Sequence, residues 1–358
     1  MPATKYASRR SYWKASLKRR VLRSAIRGLA RWHPLGESRS GYTVIVSAAA
    51  PLAPLVETNL RFVAGQDLTG LAEVIILLDI PGNVAVATIE DRLRHRFPTL
   101  PLRFAYFDRL QAGVSRLIDW AWVYNWLCWC NGIAQSNTRY VLLHDLDALV
   151  VKPDFFRERY ERMLDSDVQY LGCHYYENGA IERDDGLVPT LELMIDAGFI
   201  RSRFSPIDIF NRIGRHRGRI IDFDLFQFAQ SVAGRVDVAP LGEDDLVHPG
   251  QMVSQFTSYV GGRTDRIPQN RHNLMMIPYY FFLADEPDVL LRLKESLSRT
   301  ESTAIDFFGG TVDVSLLLRH HIATCERQIT RAEHALFGET RPEVREYVAA
   351  LKGAAGHA

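Results

Sequence analysis

Three stretches of this chain are near-continuous apolar runs of strand length: Tyr42 to Ser47 (YTVIVS), Ala72 to Asp79 (AEVIILLD) and Leu102 to Phe107 (LRFAYF). A fourth, Tyr140 to Leu143 (YVLL), lies inside RYVLLHDLDALVVKPDFF, Arg139 to Phe156. A strand that is apolar along its whole length is buried on both faces, as strands of a parallel sheet are. Between the first three runs, Pro51 to Ala64 and Thr88 to Phe97 read as helices, the former begun by a proline-rich turn. The pattern predicts an α/β fold, a mostly parallel central sheet flanked by helices. Ligands of such sheets gather at the carboxyl ends of the strands, the edge where Ser47, Asp79 and Asp145 are expected to stand.

The fourth run delivers two carboxylates two residues apart, Asp145 and Asp147, followed by a short apolar run, Ala148 to Val151, and by Lys152-Pro153. A pair of hard oxygen ligands at a strand end suits Mg²⁺ or Mn²⁺, ions that keep several waters and bind through one or two carboxylates plus substrate phosphates.

The chain has 358 residues, 47% of them hydrophobic, which suffices for one large domain with an appendage or for two modest ones. A net charge of +1 argues against a nucleic-acid binder. The four cysteines, Cys128, Cys130, Cys173 and Cys325, form neither a disulfide framework nor a zinc knuckle. A reduced, cytoplasmic setting fits. No apolar run is long enough to span a bilayer and the N-terminus lacks a signal peptide's apolar centre, so a cytoplasmic or peripheral inner-face location is expected. Charge is nonetheless uneven: Met1 to Arg31 holds many Lys and Arg and no Asp or Glu. At helical spacing Trp13, Leu17, Val21, Leu22, Ile26 and Leu29 fall near one stripe among basic residues. This is the pattern of a helix lying on an anionic membrane through residues 1–32; the alternative is a basic, partly disordered extension.

Further along, Gly113 to Ser136 reads as one long aromatic-rich helix, better explained by core packing than by ligand stacking. Near its start, Arg116 and Asp119 either point into the site or form an ordinary i, i+3 surface pair. Val168 to His174 reads as a strand, Glu177 to Pro189 as a polar loop and Leu191 to Ile200 as a helix. The arginine-dense stretch from Arg201 to Arg219 is either a solvated face or a phosphate-binding surface. Ile220 to Ala229 opens a helix-like run with a second acidic pair, Asp222 and Asp224, for which a purely structural role is the alternative. Val236 to Pro240 reads as a strand, after which His248-Pro249-Gly250-Gln251 offers a histidine as ligand or as structural residue. Gly261 to Asn273 is polar and turn-rich. Ile277 to Leu283 reads as an apolar strand or anchor segment, and Asp288 to Ser298, Val314 to Phe337 and Pro342 to Lys352 read as helices. The expected organisation is a basic extension over 1–40, a catalytic domain over 41–260 and a mainly helical region over 261–358.

The segment HDLDALVVKPDFF resembles the metal-binding aspartate motif of GT-A glycosyltransferases. Order adds to it. YTVIVS looks like that family's first strand, Asp79 like its nucleotide-contacting acid, and Asn131-Gly132-Ile133 like the helix end before its motif. Asp222-Phe223-Asp224-Leu225, Gly234, Val236 to Pro240 and His248 follow the family's later order. Two departures stand out. Ile221 precedes Asp222 where many inverting members have Glu, and only HPGQ stands where one retaining group has HxxGxxKPW.

The resemblance implies a GT-A (Rossmann-like) fold and a metal-dependent glycosyltransferase. Its donor would be a nucleotide-sugar, UDP-linked by preference and GDP-linked as the alternative, and its acceptor a hydroxyl of a glycan, polysaccharide or glycolipid. It implies Mn²⁺ or Mg²⁺ held by Asp145, Asp147 and His248, donor contacts at Ser47, Ala48, Asp79, Arg116 and Asp145, and a base at Asp222 or, second, Asp224. Inverting transfer is preferred to retaining. The competing readings are a non-catalytic GT-A-like scaffold at the membrane surface and a sugar-phosphate nucleotidyltransferase. The latter is disfavoured because Ser47-Ala48-Ala49-Ala50-Pro51 lacks the glycines of a phosphate loop.

Overall fold

The apolar runs become the middle of a seven-stranded sheet in the computed structural model, which describes residues 8–80, 84–174, 181–262, 271–299, 304–314 and 319–355. In chain order the elements begin with α1 (Arg9–Ile26), β1 (Arg39–Ala48), α2 (Leu55–Ala64), β2 (Leu71–Leu78), α3 (Val84–Arg96) and β3 (Leu102–Tyr106). Next come α4 (Arg109–Ile118), α5 (Ala121–Gln135), β4 (Thr138–His144), β5 (Leu149–Val150), α6 (Phe155–Asp165) and β6 (Tyr170–Gly172). Then follow β7 (Leu193–Asp196), α7 (Ala197–Arg203), β8 (Arg212–His216), β9 (Arg219–Phe223), α8 (Gln227–Val232) and β10 (Val236–Val238). The rest is β11 (Leu246–Val247), α9 (Met252–Val260), α10 (Ile277–Leu283), α11 (Pro287–Ser298), β12 (Ala304–Phe307), β13 (Gly310–Asp313), α12 (Arg319–Phe337) and α13 (Pro342–Ala355).

The chain forms two compact units. The first comprises Met1–Ala50, Asp67–Asp145 and Asp154–Gly242, and the second Pro51–Gln66, Leu146–Pro153 and Glu243–Ala358. The first holds the sheet, in the order β10-β6-β7-β4-β1-β2-β3. Its pairs are parallel except where β7 lies antiparallel between β4 and β6. Both faces of β1, β2 and β4 are buried: their central residues Val44 to Val46, Val74 to Leu77 and Val141 to Leu143 have no exposed surface. Helix α5 packs on β1 across Gly132, where an added Cβ would meet Ile45 at 2.7 Å. Only a residue without a side chain permits that approach.

The expected α/β class and mostly parallel sheet are what the structure has. Several elements differ. The aromatic stretch is two helices, not one: α4 ends at Asp119 in the left-handed region (φ 47), and α5 begins after Trp120. Core packing does account for Trp126 and Trp129, which are buried, with the Trp126 Nε1 donating to the Pro206 carbonyl at 2.7 Å. The expected helix over Leu191 to Ile200 starts as β7, because its buried residues pair with β4 before Asp196 caps α7 through the Phe199 N–H at 2.9 Å. Ile277 to Leu283 is helix α10, opened by Pro278 in its first turn. Asp222 lies on β9 of a two-stranded hairpin and not in a first helical turn, since Ile213 pairs opposite it. Residues 177–180 of the expected polar loop, residues 263–270 of the turn-rich stretch, and residues 315–318 at the head of the helix expected from Val314 lie outside the described residues.

Candidate metal and nucleotide site

Strand β4 is buried throughout its apolar part, and the chain leaves it at Asp145. The short strand β5 then pairs antiparallel with β11 in the register Val150↔Leu246 and Leu149↔Val247. Continuing that register sets His248 beside Ala148 and therefore next to Asp147. Asp147 and His248 are 6% and 9% exposed, and His248 Nε2 stands 3.5 Å from an Asp147 carboxylate oxygen. One ligand atom from each of Asp145, Asp147 and His248 lies within 4.8 Å of the others.

This arrangement fits a small divalent cation. Two carboxylates and one imidazole converge, and a Mn²⁺ or Mg²⁺ ion takes its remaining ligands from water and phosphate.

The loop that carries Asp147 is held by its backbone. Asn59 of α2 donates through Nδ2 to the carbonyls of both Leu146 and Ala148, each at 3.2 Å. The Tyr280 hydroxyl on α10 donates to the Asp147 carbonyl at 2.8 Å, and Gln66 Nε2 to that of Val150 at 3.1 Å. Asn59, Gln66 and Tyr280 are all buried. Three successive peptide groups are thereby engaged, so the direction of the Asp147 side chain is set before any ligand arrives. Sequence reasoning missed these residues because an Asn and a Tyr bonding to distant carbonyls leave no local pattern. Replacing Asn59 by Leu is expected to weaken Mn²⁺ binding by about 10–100-fold, the usual cost of losing a group that orients a ligand. Tyr280→Phe should cost less, because it removes one bond and not two. Titration of the protein with Mn²⁺ alone, followed by the ion's paramagnetic signal, measures both.

In the first unit, Ser47 at the end of β1 and Asp79 just past β2 stand on the carboxyl edge of the sheet, as does Asp145 past β4. Between β1 and β4 the strand order reverses, the place where open α/β sheets bind ligands. Ala48 is the buried last residue of β1. Tyr124 of α5 joins this group. Burial, with Cys128 and Asp79 nearby, holds its hydroxyl well above the usual tyrosine range, while Ser47 opposes the shift. Burial likewise raises the thiols of Cys128, Cys130 and Cys173, and pushes Cys325 up to about 12, so all four are protonated thiols near neutral pH.

Directly before Asp145, His144 Nδ1 lies 2.7 Å from a Glu192 carboxylate oxygen, both residues fully buried. Glu192 adopts a φ of 49 at the entry to β7, a conformation that costs a non-glycine residue on the order of 1–3 kcal/mol. The buried pair anchors the strand end from which Asp145 projects.

The remaining expected residues lie elsewhere in the first unit. Arg116 is exposed on α4. Asp222 is 4% exposed, and both its oxygens accept from the Arg19 guanidinium of α1, one of them at 3.0 Å. Arg19 in turn lies over the ring of Trp122, 4.7 Å from its centroid. Asp224, two residues on, is half-buried. Its Oδ1 accepts from the Leu225 N–H at 2.8 Å, and the Gln227 side chain accepts from its own N–H at 2.8 Å.

No family model and no curated protein matches this sequence. Among solved structures, the chain is similar to the glycosyltransferase GlyE of Streptococcus pneumoniae at 13% identity over 45% of this chain, with a TM-score of 0.31. That match spans 35% of the GlyE chain. It is similar to the mannosyltransferase PcManGT of Pyrobaculum calidifontis, solved with GDP-Man and Mn²⁺, at 14% identity over 97% of this chain and 95% of that one, TM-score 0.34. Its likeness to residues 1–349 of TarS from S. aureus is 10% identity over 88% and 90% of the two chains, TM-score 0.38. Scores this low do not bear on mechanism, and the functional reading rests on the residues of the site.

Proposed function

We propose that this protein is a metal-dependent glycosyltransferase that moves a sugar from a nucleotide-sugar to an acceptor hydroxyl. The observation that carries the reading is the convergence of Asp145, Asp147 and His248 where the chain leaves β4. Those three side chains would hold Mn²⁺ or Mg²⁺. When bound, such an ion supplies a Lewis acid that neutralises charge on the departing nucleoside diphosphate. Ser47, Ala48 and Asp79 would line the nucleotide, with UDP preferred to GDP. Arg116, exposed on α4, would be a further donor contact.

An acceptor hydroxyl that attacks an anomeric carbon must lose a proton to a base. Asp222, expected first for that role, already receives two charge-assisted bonds from Arg19. We therefore assign the base to Asp224, whose carboxylate is half-buried. On this assignment Asp224→Asn slows transfer and leaves Mn²⁺ binding as it was; unchanged transfer would return the role to another group. Inverting transfer is our reading of the stereochemistry, and the anomeric proton coupling of the product tests it.

The ligand reading predicts that Mn²⁺ and UDP together raise the melting temperature of the protein, and that neither does so fully alone. A 100-fold excess over Kd corresponds to about 2.7 kcal/mol of stabilisation. An unchanged melting temperature with both UDP and GDP would count against it.

We also read the exposed face of α1 as the surface that meets an anionic membrane, which would bring a glycolipid or polysaccharide acceptor to the enzyme at the inner face of the membrane. Among the described residues no helix is long and apolar enough to cross a bilayer. The support lies in how the helix divides its residues. Ser16, Arg19 and Ile26 are buried, while Trp13, Leu17 and Val21 are 61%, 63% and 62% exposed at i, i+4 and i+8. The sequence stripe expected from Trp13 to Leu29 is thus two faces: its later members pack inward and its first members remain in water.

A further inference from the structure

At the C-terminal end of α1 a cleft of about 500 Å³ opens in the first unit, lined by Arg27, Arg31, Trp32, His33, Arg201 and Arg203, with uncharged residues of the 202–207 segment. Among the described residues, no Asp or Glu lines it. Arg27, Arg31 and Arg203 are exposed, and none of them makes an ion pair among the described residues. Four guanidinium groups around one concavity repel one another unless an anion lies among them.

The walls are built and not merely crowded. The Trp32 Nε1 donates to the Phe204 carbonyl at 2.8 Å, tying the two lining segments together. Arg201 donates through Nε to the His33 carbonyl at 2.7 Å and through Nη1 to that of Ser136 at 3.0 Å, so its charge is fixed at the rim. The exposed guanidinium forks of Arg27, Arg31 and Arg203 match the oxygens of a phosphate.

The exposed stripe of α1 leads to this cleft. Arg27 caps the helix, and from Val21 to Arg27 the distance along the axis is about 9 Å at 1.5 Å per residue. Arg10, Lys14, Lys18 and Arg20, all exposed, flank the stripe. A soluble phosphate would leave Trp13, Leu17 and Val21 in water, whereas a phospholipid surface offers acyl chains to the stripe and a headgroup to the cleft.

We propose that this cleft is a second binding site, distinct from the metal cluster, for the phosphate headgroup of an anionic phospholipid. The proposal rests on the membrane reading of α1, and the test separates the two.

The full-length protein is sedimented with vesicles of phosphatidylcholine mixed with either phosphatidic acid or, at matched surface charge, oleate. Its affinity for inorganic phosphate is measured in parallel by titration calorimetry. Wild type should prefer the phosphatidic acid vesicles. Arg31→Gln/Arg203→Gln should remove that preference, lower binding to these vesicles by roughly 30-fold at about 1 kcal/mol per lost charge, and weaken phosphate binding. Lys14→Gln/Lys18→Gln, equal in charge but outside the cleft, should keep the preference. Trp13→Ser/Leu17→Ser should lose vesicle binding and retain phosphate binding; if vesicle binding persists in that variant, the membrane reading of α1 is wrong. Equal binding to both vesicle types, or a preference that survives in Arg31→Gln/Arg203→Gln, would overturn the cleft. Phosphate binding without vesicle binding by the wild type would assign the cleft to a soluble phosphate and overturn the lipid.

Discussion

Asp147→Asn is expected to leave the protein folded and to reduce Mn²⁺-dependent turnover of a nucleotide-sugar by roughly 10²–10³-fold, the range typical of losing one group that stabilises charge in the transition state. The side chain keeps its shape, and the contacts that hold its loop run through the backbone, from Asn59 and Tyr280. Stability should therefore change little, while the negative charge that would attract the cation is gone. Asp145→Asn should behave similarly. The measurement is turnover beside Mn²⁺ affinity and the midpoint of urea unfolding. Normal metal binding and normal turnover in both variants would remove the metal cluster from the account.

The second large effect concerns stability. Arg19→Ala is expected to destabilise the first unit by about 3–5 kcal/mol, because it removes the guanidinium from which both oxygens of the buried Asp222 carboxylate accept. The paired change Arg19→Met/Asp222→Leu should lie much closer to wild type, since well-packed apolar residues often replace a buried ion pair at little cost. A double-mutant cycle built with Asp222→Ala gives the coupling energy directly. An Arg19→Ala variant within about 1 kcal/mol of wild type would mean that water or another cation reaches Asp222. The pair also ties α1 to the β8–β9 hairpin: the helix's buried face carries Arg19, and Arg23 adds a bond from its Nη1 to the Phe210 carbonyl at 2.9 Å.

What could be read from the sequence follows from what local pattern records. Strands β1, β2, β3 and β4 are apolar on both faces, and their runs identified them to within two residues except at the start of β1, which begins at Arg39 and not Tyr42. The acidic pair at the end of β4 was legible for the same reason. By contrast, Ile277 to Leu283 is a short apolar run whose composition fits a buried strand or a buried helix equally well, and only packing decided for α10. Strand β7 was hidden in a helix-like stretch because its partners, β4 and β6, supply the pairing. The hairpin of β12 and β13 carried no strong alternation and went unread.

Within the candidate site the same division holds. Asp145, Asp147 and His248 could be named because carboxylates and a loop histidine advertise their chemistry. Arg19 is 203 residues from Asp222 in sequence, and nothing local to either announces their pairing. Asn59, Tyr280 and Glu192 act by holding backbone or a neighbouring ring, roles that any polar residue type can fill. The basic N-terminal segment was visible as charge. That one face of it would pack inward through Arg19 and Ile26, leaving Trp13, Leu17 and Val21 outside, required the fold.

The most direct test of glycosyl transfer is a panel of UDP- and GDP-linked sugars incubated with the full-length protein and no acceptor, with release of the nucleoside diphosphate followed with and without Mn²⁺. The account predicts slow, Mn²⁺-dependent hydrolysis of at least one donor, abolished by EDTA and by Asp147→Asn. Failure to hydrolyse any donor, together with no Mn²⁺-dependent binding of UDP or GDP, would contradict it.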